Sequence, residues 1–293
     1  MKGSSSSLSY EFATEGDGEQ IAALLEGAEF KGGVSIAYCR RPNAVLSLAR
    51  DGEKSTYVVA RDADGKIVGA GGCAINGGVA YLTGLRAIAR ANIPKAYQLI
   101  REFCAANGAK LTYTTILESN EAAQRMLEKK RASMPHYLRH SELVTNIIRK
   151  KLRIKDKNAF ALEGDGFYVL RGPSGDELAR AKAVEQWGYK QYVVKKYGWQ
   201  LRLLKPFARW LPDVDEALKF FVLREVEARD GAALESFLRH ASRIPLQGDF
   251  FLYGGADCPV KSIKYRSIVY IVDWDKNIED ISKIQLKVEI ANL

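Results

Sequence analysis

The stretch from Ser55 to Ala74 constrains the fold more than any other part of the chain. Ser55 to Arg61 alternates and is rich in β-branched residues, Lys66 to Ala74 is also strand-like, and Asp62-Ala63-Asp64-Gly65 lies between them. An Asp-Gly step favours positive φ and a tight turn, so the stretch predicts a β-hairpin.

Strand and helix patterns alternate around this hairpin. Tyr10 to Ala13 reads as extended. Glu19 to Glu26 carries Ile21, Leu24 and Leu25 at helical spacing, with Asp17 as the expected N-cap. Val79 to Ile88 reads as a strand and Tyr97 to Ala106 as an amphipathic helix ended by Asn107-Gly108. Lys110 to Leu117 is β-branched and aromatic, Asn120 to Arg131 is helical, and His136 to Ile148 is expected to form a strand pair.

The basic run Arg149 to Lys157 is the best linker candidate, because concentrated like charge is costly to bury. The 293 residues suffice for two domains, expected at 1–150 and 151–293. After the linker the order partly repeats. Phe167 to Arg171 reads as a strand, and Gly172 to Asp176 leads into an expected helix through Leu178 and Ala181. Phe220 to Arg229 matches Ala80 to Arg90, with Leu223-Arg224 over Leu85-Arg86. A helix over Ala232 to Ala241 and a strand over Asp249 to Tyr253 follow, and the Asp-Gly hairpin has no evident counterpart. Ser267 to Asp273 and Ile284 to Ile290 read as closing strands.

Composition narrows the class. With 47% hydrophobic and 27% charged residues, a packed core is expected rather than disorder. No run approaches the ~20 apolar residues of a membrane span, and the beginning of the chain has no secretory pattern, so a cytoplasmic protein without a membrane partner is expected. Cys39, Cys73, Cys104 and Cys258 form no CxxC pair and read as small buried hydrophobes. The net charge of +9 favours an anionic partner without choosing one.

Two segments carry a family resemblance. Tyr81-Leu82-Thr83-Gly84-Leu85-Arg86-Ala87-Ile88 and Ser119-Asn120-Glu121-Ala122-Ala123 through Glu128-Lys129, in this order and spacing, resemble the fourth strand and the Asn-led helix of the GNAT (Gcn5-related N-acetyltransferase) superfamily. The resemblance implies an α/β (α+β) fold of two tandem GNAT-like domains, each a mixed, mostly antiparallel sheet flanked by helices. It implies an N-acyltransferase that moves acetyl from acetyl-CoA to the amine of a small molecule or peptide. In the family the donor's pantetheine arm lies between splayed strands and its pyrophosphate meets amides at a helix start. Carried over, the strand contacts fall on Ala87 and Ile88, the phosphate contacts on Asn92, Ile93, Pro94, Lys95 and Ala96, and Asn120 reaches the pantetheine. Glu118 is the residue placed to act as base, while a solvated strand-end carboxylate or helix N-cap is the more common role of such a glutamate.

The sequence also departs from the family. The family's glycine-rich phosphate loop is replaced by Arg90 to Ala96, which has no glycine. Leu127 stands where a general-acid Tyr is usual, and Arg131 where a Gly is usual. The second copy, Arg224 to Gly231, holds only Gly231. A non-catalytic binding protein on the same fold therefore remains the alternative.

His136 and His140 lack a third ligand and the Glu of a metalloprotease helix, so no metal site is expected. From Trp187 to Trp210, aromatic residues interleave with Lys and Arg. Packing with outward-reaching cations is the favoured reading and nucleic-acid stacking the weaker one.

Overall fold

The computed structural model describes residues 8–26, 29–30, 34–87, 93–129, 134–186, 188–206, 212–286 and 288. The first half runs β1 (Ser9–Phe12), α1 (Gly18–Glu26), β2 (Glu29–Phe30), β3 (Val34–Arg40), α2 (Ala44–Leu48), β4 (Lys54–Arg61), β5 (Ile67–Asn76), β6 (Val79–Ala87), α3 (Ile93–Ala106), β7 (Leu111–Leu117), α4 (Glu121–Glu128) and β8 (His136–Arg149). The second half runs β9 (Ala159–Leu162), β10 (Tyr168–Arg171), β11 (Glu177–Glu185), β12 (Lys190–Tyr197), α5 (Trp199–Leu204), β13 (Phe220–Ala228), α6 (Gly231–Ala241), β14 (Phe250–Gly254) and β15 (Ile263–Asp273).

Twelve strands form one sheet in the order β1-β4-β5-β6-β7-β15-β8-β14-β13-β11-β10-β9. Its pairs are antiparallel except β6 with β7 and β13 with β14. Each parallel pair is joined through a helix, α3 or α6, as a parallel connection requires. The halves trade one strand. β8 leaves the first half to pair with β14, from Phe250↔Arg149 to Gly254↔Thr145. β15 returns from the second half to pair with β7, from Ser267↔Leu117 to Ile271↔Tyr113. The traded strands lie side by side along their length, from Ile263↔Ile147 to Asp273↔His136.

A bulge recurs in the two halves. On β6, Gly84 and Leu85 face the single residue Gly71 between the pairs Ala70↔Arg86 and Gly72↔Thr83. On β13, Glu225 and Val226 face Ala181 between Arg180↔Glu227 and Lys182↔Arg224. Both bulges contain a residue of positive φ, 63° at Gly84 and 51° at Glu225. This register sets Val226 over Leu85, whereas the sequence match had set Leu223 there.

Several sequence expectations change. Asp17 is not a helix N-cap. It ends a 3₁₀ turn over Glu15–Asp17, where its carboxylate accepts from the Thr14 N–H at 2.8 Å and from Arg61 at 2.6 Å. The residues around Leu178 and Ala181 form β11, because Ala179 and Ala181 are buried while Arg180 and Lys182 face outward with period two. With β10 this strand is the second-half counterpart of the Asp-Gly hairpin, turning at Gly175 with φ 85°. His136 to Ile148 lies within the single strand β8. Residues 284–286 and 288 are irregular, and Ile284, Leu286 and Val288 cover Tyr81, Tyr113, Val269 and Ile271.

Alternation along the strands builds a core on each face. Cys73 and Ile75 of β5 pack with Tyr97, Ile100 and Cys104 of α3, while Ala70 and Ala74 pack with Ile21 and Leu25 of α1 and Leu48 of α2. In the second half, Phe221 and Leu223 meet α6 through Phe237 and Leu238. Phe220 and Val222 face the other way, with Phe250 and Leu252. Cys39, Cys73 and Cys104 are buried and Cys258 is half-buried, all as free thiols.

A second, three-stranded sheet, β12-β3-β2, joins the halves from Lys190↔Arg40 to Tyr197↔Val34. Beneath its first pair, Asp51 takes Arg40 at 2.7 Å and Lys190 at 2.9 Å, with all three side chains buried.

Candidate functional site

β6 and β7 pair only from Val79↔Leu111 to Leu82↔Thr114, then separate, although β6 continues to Ala87 and β7 to Leu117. The Thr114 hydroxyl donates to the Leu82 carbonyl at 2.9 Å where pairing ends. The bulge then turns β6 away. Gly84 serves that turn because its φ of 63° is costly for other residues, and a Cβ there would lie 3.3 Å from Leu25. On β5, Gly72 leaves room for Tyr57, whose ring would stand 2.9 Å from an added Cβ.

The separation opens into a cavity of about 260 Å³ whose lining draws on both faces of the sheet. On the α3 and α4 face stand Tyr97, Ile100, Met126, Leu127 and Tyr137; on the opposite face stand Tyr38, Tyr81, Tyr192, Phe220, Phe250 and Tyr265. The exposed wall is largely apolar, with tyrosine and threonine hydroxyls, Ser267, Asn120 and Arg86 as its polar groups. Tyr81 and Thr115 hydroxyls lie 3.2 Å apart. The hydroxyl of Tyr38 is buried without a hydrogen-bond partner, and that of Tyr137 is buried with only the Tyr97 phenol beside it. Burial pushes the pKa of both phenols well above the usual tyrosine value, so both keep their protons at neutral pH. Burial also lowers the pKa of Arg86, the guanidinium in the lining.

Among the sequence-predicted residues, Asn120 lines the cavity and caps α4, accepting from the Ala123 N–H at 3.2 Å. Ala87 ends β6, and Ile93, Pro94, Lys95 and Ala96 make the first turn of α3. Pro94, Lys95 and Ala96 are not in the lining; Lys95 reaches back over the Tyr10 ring at 5.5 Å. Ile88 and Asn92 lie outside the described residues. Glu118 is exposed just past β7, where its N–H donates to Arg266 O at 2.9 Å, and it is not in the lining. Leu127 is buried against the cavity, and Arg131 lies outside the described residues.

Sequence reading did not find Tyr38 or Tyr137, met Tyr192 only as part of the aromatic-basic stretch, and noticed Arg86 without giving it a role. Tyr38 and Tyr192 reach the site through the small sheet and Tyr137 through a traded strand, and no local pattern marks such long-range placement. In the second half β13 and β14 also stop pairing after Val222↔Leu252. There α6 is capped by Asp230, whose carboxylate accepts from Ala233 N–H at 2.8 Å and is held below the usual aspartate pKa by that bond.

The remaining sequence candidates fall elsewhere. His136 and His140 lie on β8, and His140 Nε2 is 2.9 Å from Ile284 O. His240 is buried on α6. Among the described residues, no three of His, Cys, Asp and Glu gather as a metal site would need. Within the aromatic-basic stretch, Tyr192 and Tyr197 pack inward from β12 while Trp199 is 73% exposed on α5. No helix of the described residues is long and apolar enough to cross a membrane.

No family model and no curated protein matches this sequence. Solved structures do match its fold. A GCN5-related glucosamine N-acetyltransferase region of a fungal multi-domain GH3 β-N-acetylglucosaminidase aligns over 91% of this chain and 38% of its own, at TM-score 0.57 and 13% identity. A GCN5-related N-acetyltransferase from Sphaerobacter thermophilus aligns over 90% of this chain and 95% of its own, at TM-score 0.53 and 10% identity. This chain thus spans well under half the length of the fungal protein. The architecture is that of GCN5-related N-acetyltransferases, a large, mostly antiparallel sheet flanked by helices. At these identities the likeness is one of fold.

Proposed function

We propose that the chain is an acyl-CoA-dependent N-acyltransferase that moves acetyl from acetyl-CoA to a primary amine of a small molecule or peptide. The supporting observation is the cavity between the separated β6 and β7, lined on the α3 side by Tyr97 and Ile100. Past Leu82, the β6 edge facing β7 offers unpaired backbone groups, and a pantetheine arm carries amides that pair with such an edge. The reading assigns the strand contacts to Ala87 and Ile88, the phosphates to Asn92, Ile93, Pro94, Lys95 and Ala96, and the arm to Asn120. Phosphates suit the start of a helix because its first N–H groups are unpaired. The same reasoning places the site in the first half, since Asp230 sets a carboxylate at the start of α6, where an anion would be repelled.

The bound donor supplies an acyl carbonyl joined to sulfur. Transfer forms a C–N bond, breaks the C–S bond, takes a proton from the amine and returns one to the departing thiolate. Tyr97 and Tyr137 are the cavity phenols on the α3 and α4 face; Tyr137, with its proton retained and Tyr97 as its neighbouring phenol, is assigned to deliver that proton. Glu118 would serve as base only through solvent, because it stands outside the lining.

That placement of Glu118 is also the observation that favours the second reading, a binding protein on the same fold. Among the described residues the lining holds no carboxylate. The organisation proposed with the function is two units, 1–150 and 151–293, that trade β8 and β15. Calorimetric titration with acetyl-CoA, with CoA as control, tests the reading: saturable binding near one per chain supports it, and no binding at millimolar donor ends it.

A further inference from the structure

The charge of the cavity is one-sided. Among the described residues its lining contains one guanidinium, Arg86, and no Asp, Glu, Lys or His. Leu85 packs into the α3 core, so Arg86, next along the strand, leaves the opposite face, where its electrostatic neighbours are Tyr38 and Tyr57. Its Nη1 donates to the Leu85 carbonyl at 2.9 Å, while its Nε is buried without a partner.

The neighbours share this deficit. The Tyr38 and Tyr57 hydroxyls and the Nε of Arg40 are also buried without partners. Arg40 stands 5.5 Å from the centre of the Tyr38 ring, and Tyr57 interacts electrostatically with Arg40 and Arg86. Guanidinium N–H groups only donate, and burial keeps both phenols protonated as donors. The nearby carboxylate, Asp51, is already taken by Arg40 and Lys190. Buried donors left unmet are costly, and an excess of them beside positive charge suits an anionic oxygen group.

Tyr38 and Arg86 present this deficit to the cavity, and Tyr57 stands behind them. The remaining wall on that face, Tyr81, Tyr192, Phe220, Phe250 and Tyr265, suits an apolar body. We infer that this end of the cavity holds the carboxylate of the acceptor on Arg86 and Tyr38, so that the amine substrate is a small amino acid with an apolar side chain. In calling the ligand an acceptor, the inference rests on the acyl-transfer reading. A zwitterion also fits a lining without carboxylates better than a plain cationic amine does, because it brings its own counter-charge.

The test is calorimetric titration of the full chain, with and without CoA, using matched pairs: L-phenylalanine against L-phenylalaninamide and L-leucine against L-leucinamide. The acid of at least one pair should bind about tenfold or more tightly than its amide, since a desolvated charge-assisted pair is lost in the amide. Arg86→Gln should level the two, and Arg86→Lys should restore part of the preference. Equal binding of acid and amide, failure of every acid to bind, or a preference that survives Arg86→Gln in a variant of unchanged melting temperature would overturn the inference. CoA titrated alone separates the failures: if it does not bind, the acyl-transfer reading falls, while the acid–amide comparison still decides the anion site.

Discussion

Gly84 and Glu225 hold the same position in the two halves of the chain. Each enters a bulge with positive φ, 63° and 51°, and the separation that takes Val79 to Phe220 along the paired strands also takes Gly84 to Glu225. Glycine adopts this conformation without a Cβ penalty, whereas Glu225 bears a cost of about 1 kcal/mol. Its pair with Lys182 at 3.0 Å is more than a third exposed on both sides and worth only a few tenths of that after solvent screening.

Glu225→Gly should therefore stabilise the protein by up to about 1 kcal/mol. Gly84→Ala should destabilise it by about 1–3 kcal/mol, because strain adds to the close approach to Leu25. Urea unfolding of the two variants measures both signs. Loss of stability in Glu225→Gly would show that the Lys182 pair outweighs the backbone term.

Asn120 has two duties that substitution can separate. Its Oδ1 caps α4 and its side chain lines the cavity. Asn120→Ala should lose the cap, about 1 kcal/mol, together with acyl-CoA affinity. Asn120→Asp keeps a capping oxygen but loses the amide donor, so it should retain stability and still bind CoA more weakly. Calorimetry beside thermal melting reads the two effects. Full CoA affinity in Asn120→Asp would remove Asn120 from the pantetheine contacts.

How much of this was legible in the sequence depended on how local each feature is. The β4–β5 hairpin was legible because Asp64-Gly65 supplies its turn, and the helix led by Asn120 because its apolar residues recur at helical spacing; that Asn120 itself caps it is a finding of the structure. The bulge was not legible, because it is filled by Gly in one half and Glu in the other, so the sequence pattern aligns Leu223 rather than Val226 with Leu85 and predicts a helix where β11 lies. The cavity was half legible. Its β6 wall lies in one continuous segment, but Tyr38 comes from β3 and Tyr137 from β8, and only the small sheet and the strand trade bring them to β6 and β7. Glu118 is the converse case, a residue near the cavity in sequence that is exposed just past β7 and outside the lining.

Tyr137→Phe tests the assignment of the departing proton. The hydroxyl makes no close hydrogen bond beyond its interaction with the Tyr97 phenol, and the ring, packed against Tyr97 at 6.1 Å between centroids, is retained, so stability should change little. If Tyr137 protonates the thiolate, kcat should fall by about 100-fold or more, with CoA affinity and acceptor KM nearly unchanged. An unchanged kcat, or a fall explained by weaker CoA binding, would leave the phenol a packing role.

The buried cluster beneath the small sheet predicts a pH dependence. Burial lowers the Lys190 pKa to about 8; Asp51 pulls it up and Arg40 pushes it further down. An unfolded lysine titrates near about 10.4. Between these values the unfolded chain holds a proton at Lys190 that the folded chain has released, so stability from this group rises as pH climbs from about 8 to about 10.5. Burial raises the Cys39 pKa to about 11, and this works in the opposite direction over much of the same range, so wild-type curves alone mix the two. The stability difference between wild type and Lys190→Met removes the cysteine contribution. Measured by urea unfolding at intervals from pH 7 to 10.5, that difference should shift in favour of wild type by about 3 kcal/mol across the window. A flat difference would mean that Lys190 keeps its proton beside Asp51, leaving the ion pair with Asp51 intact throughout.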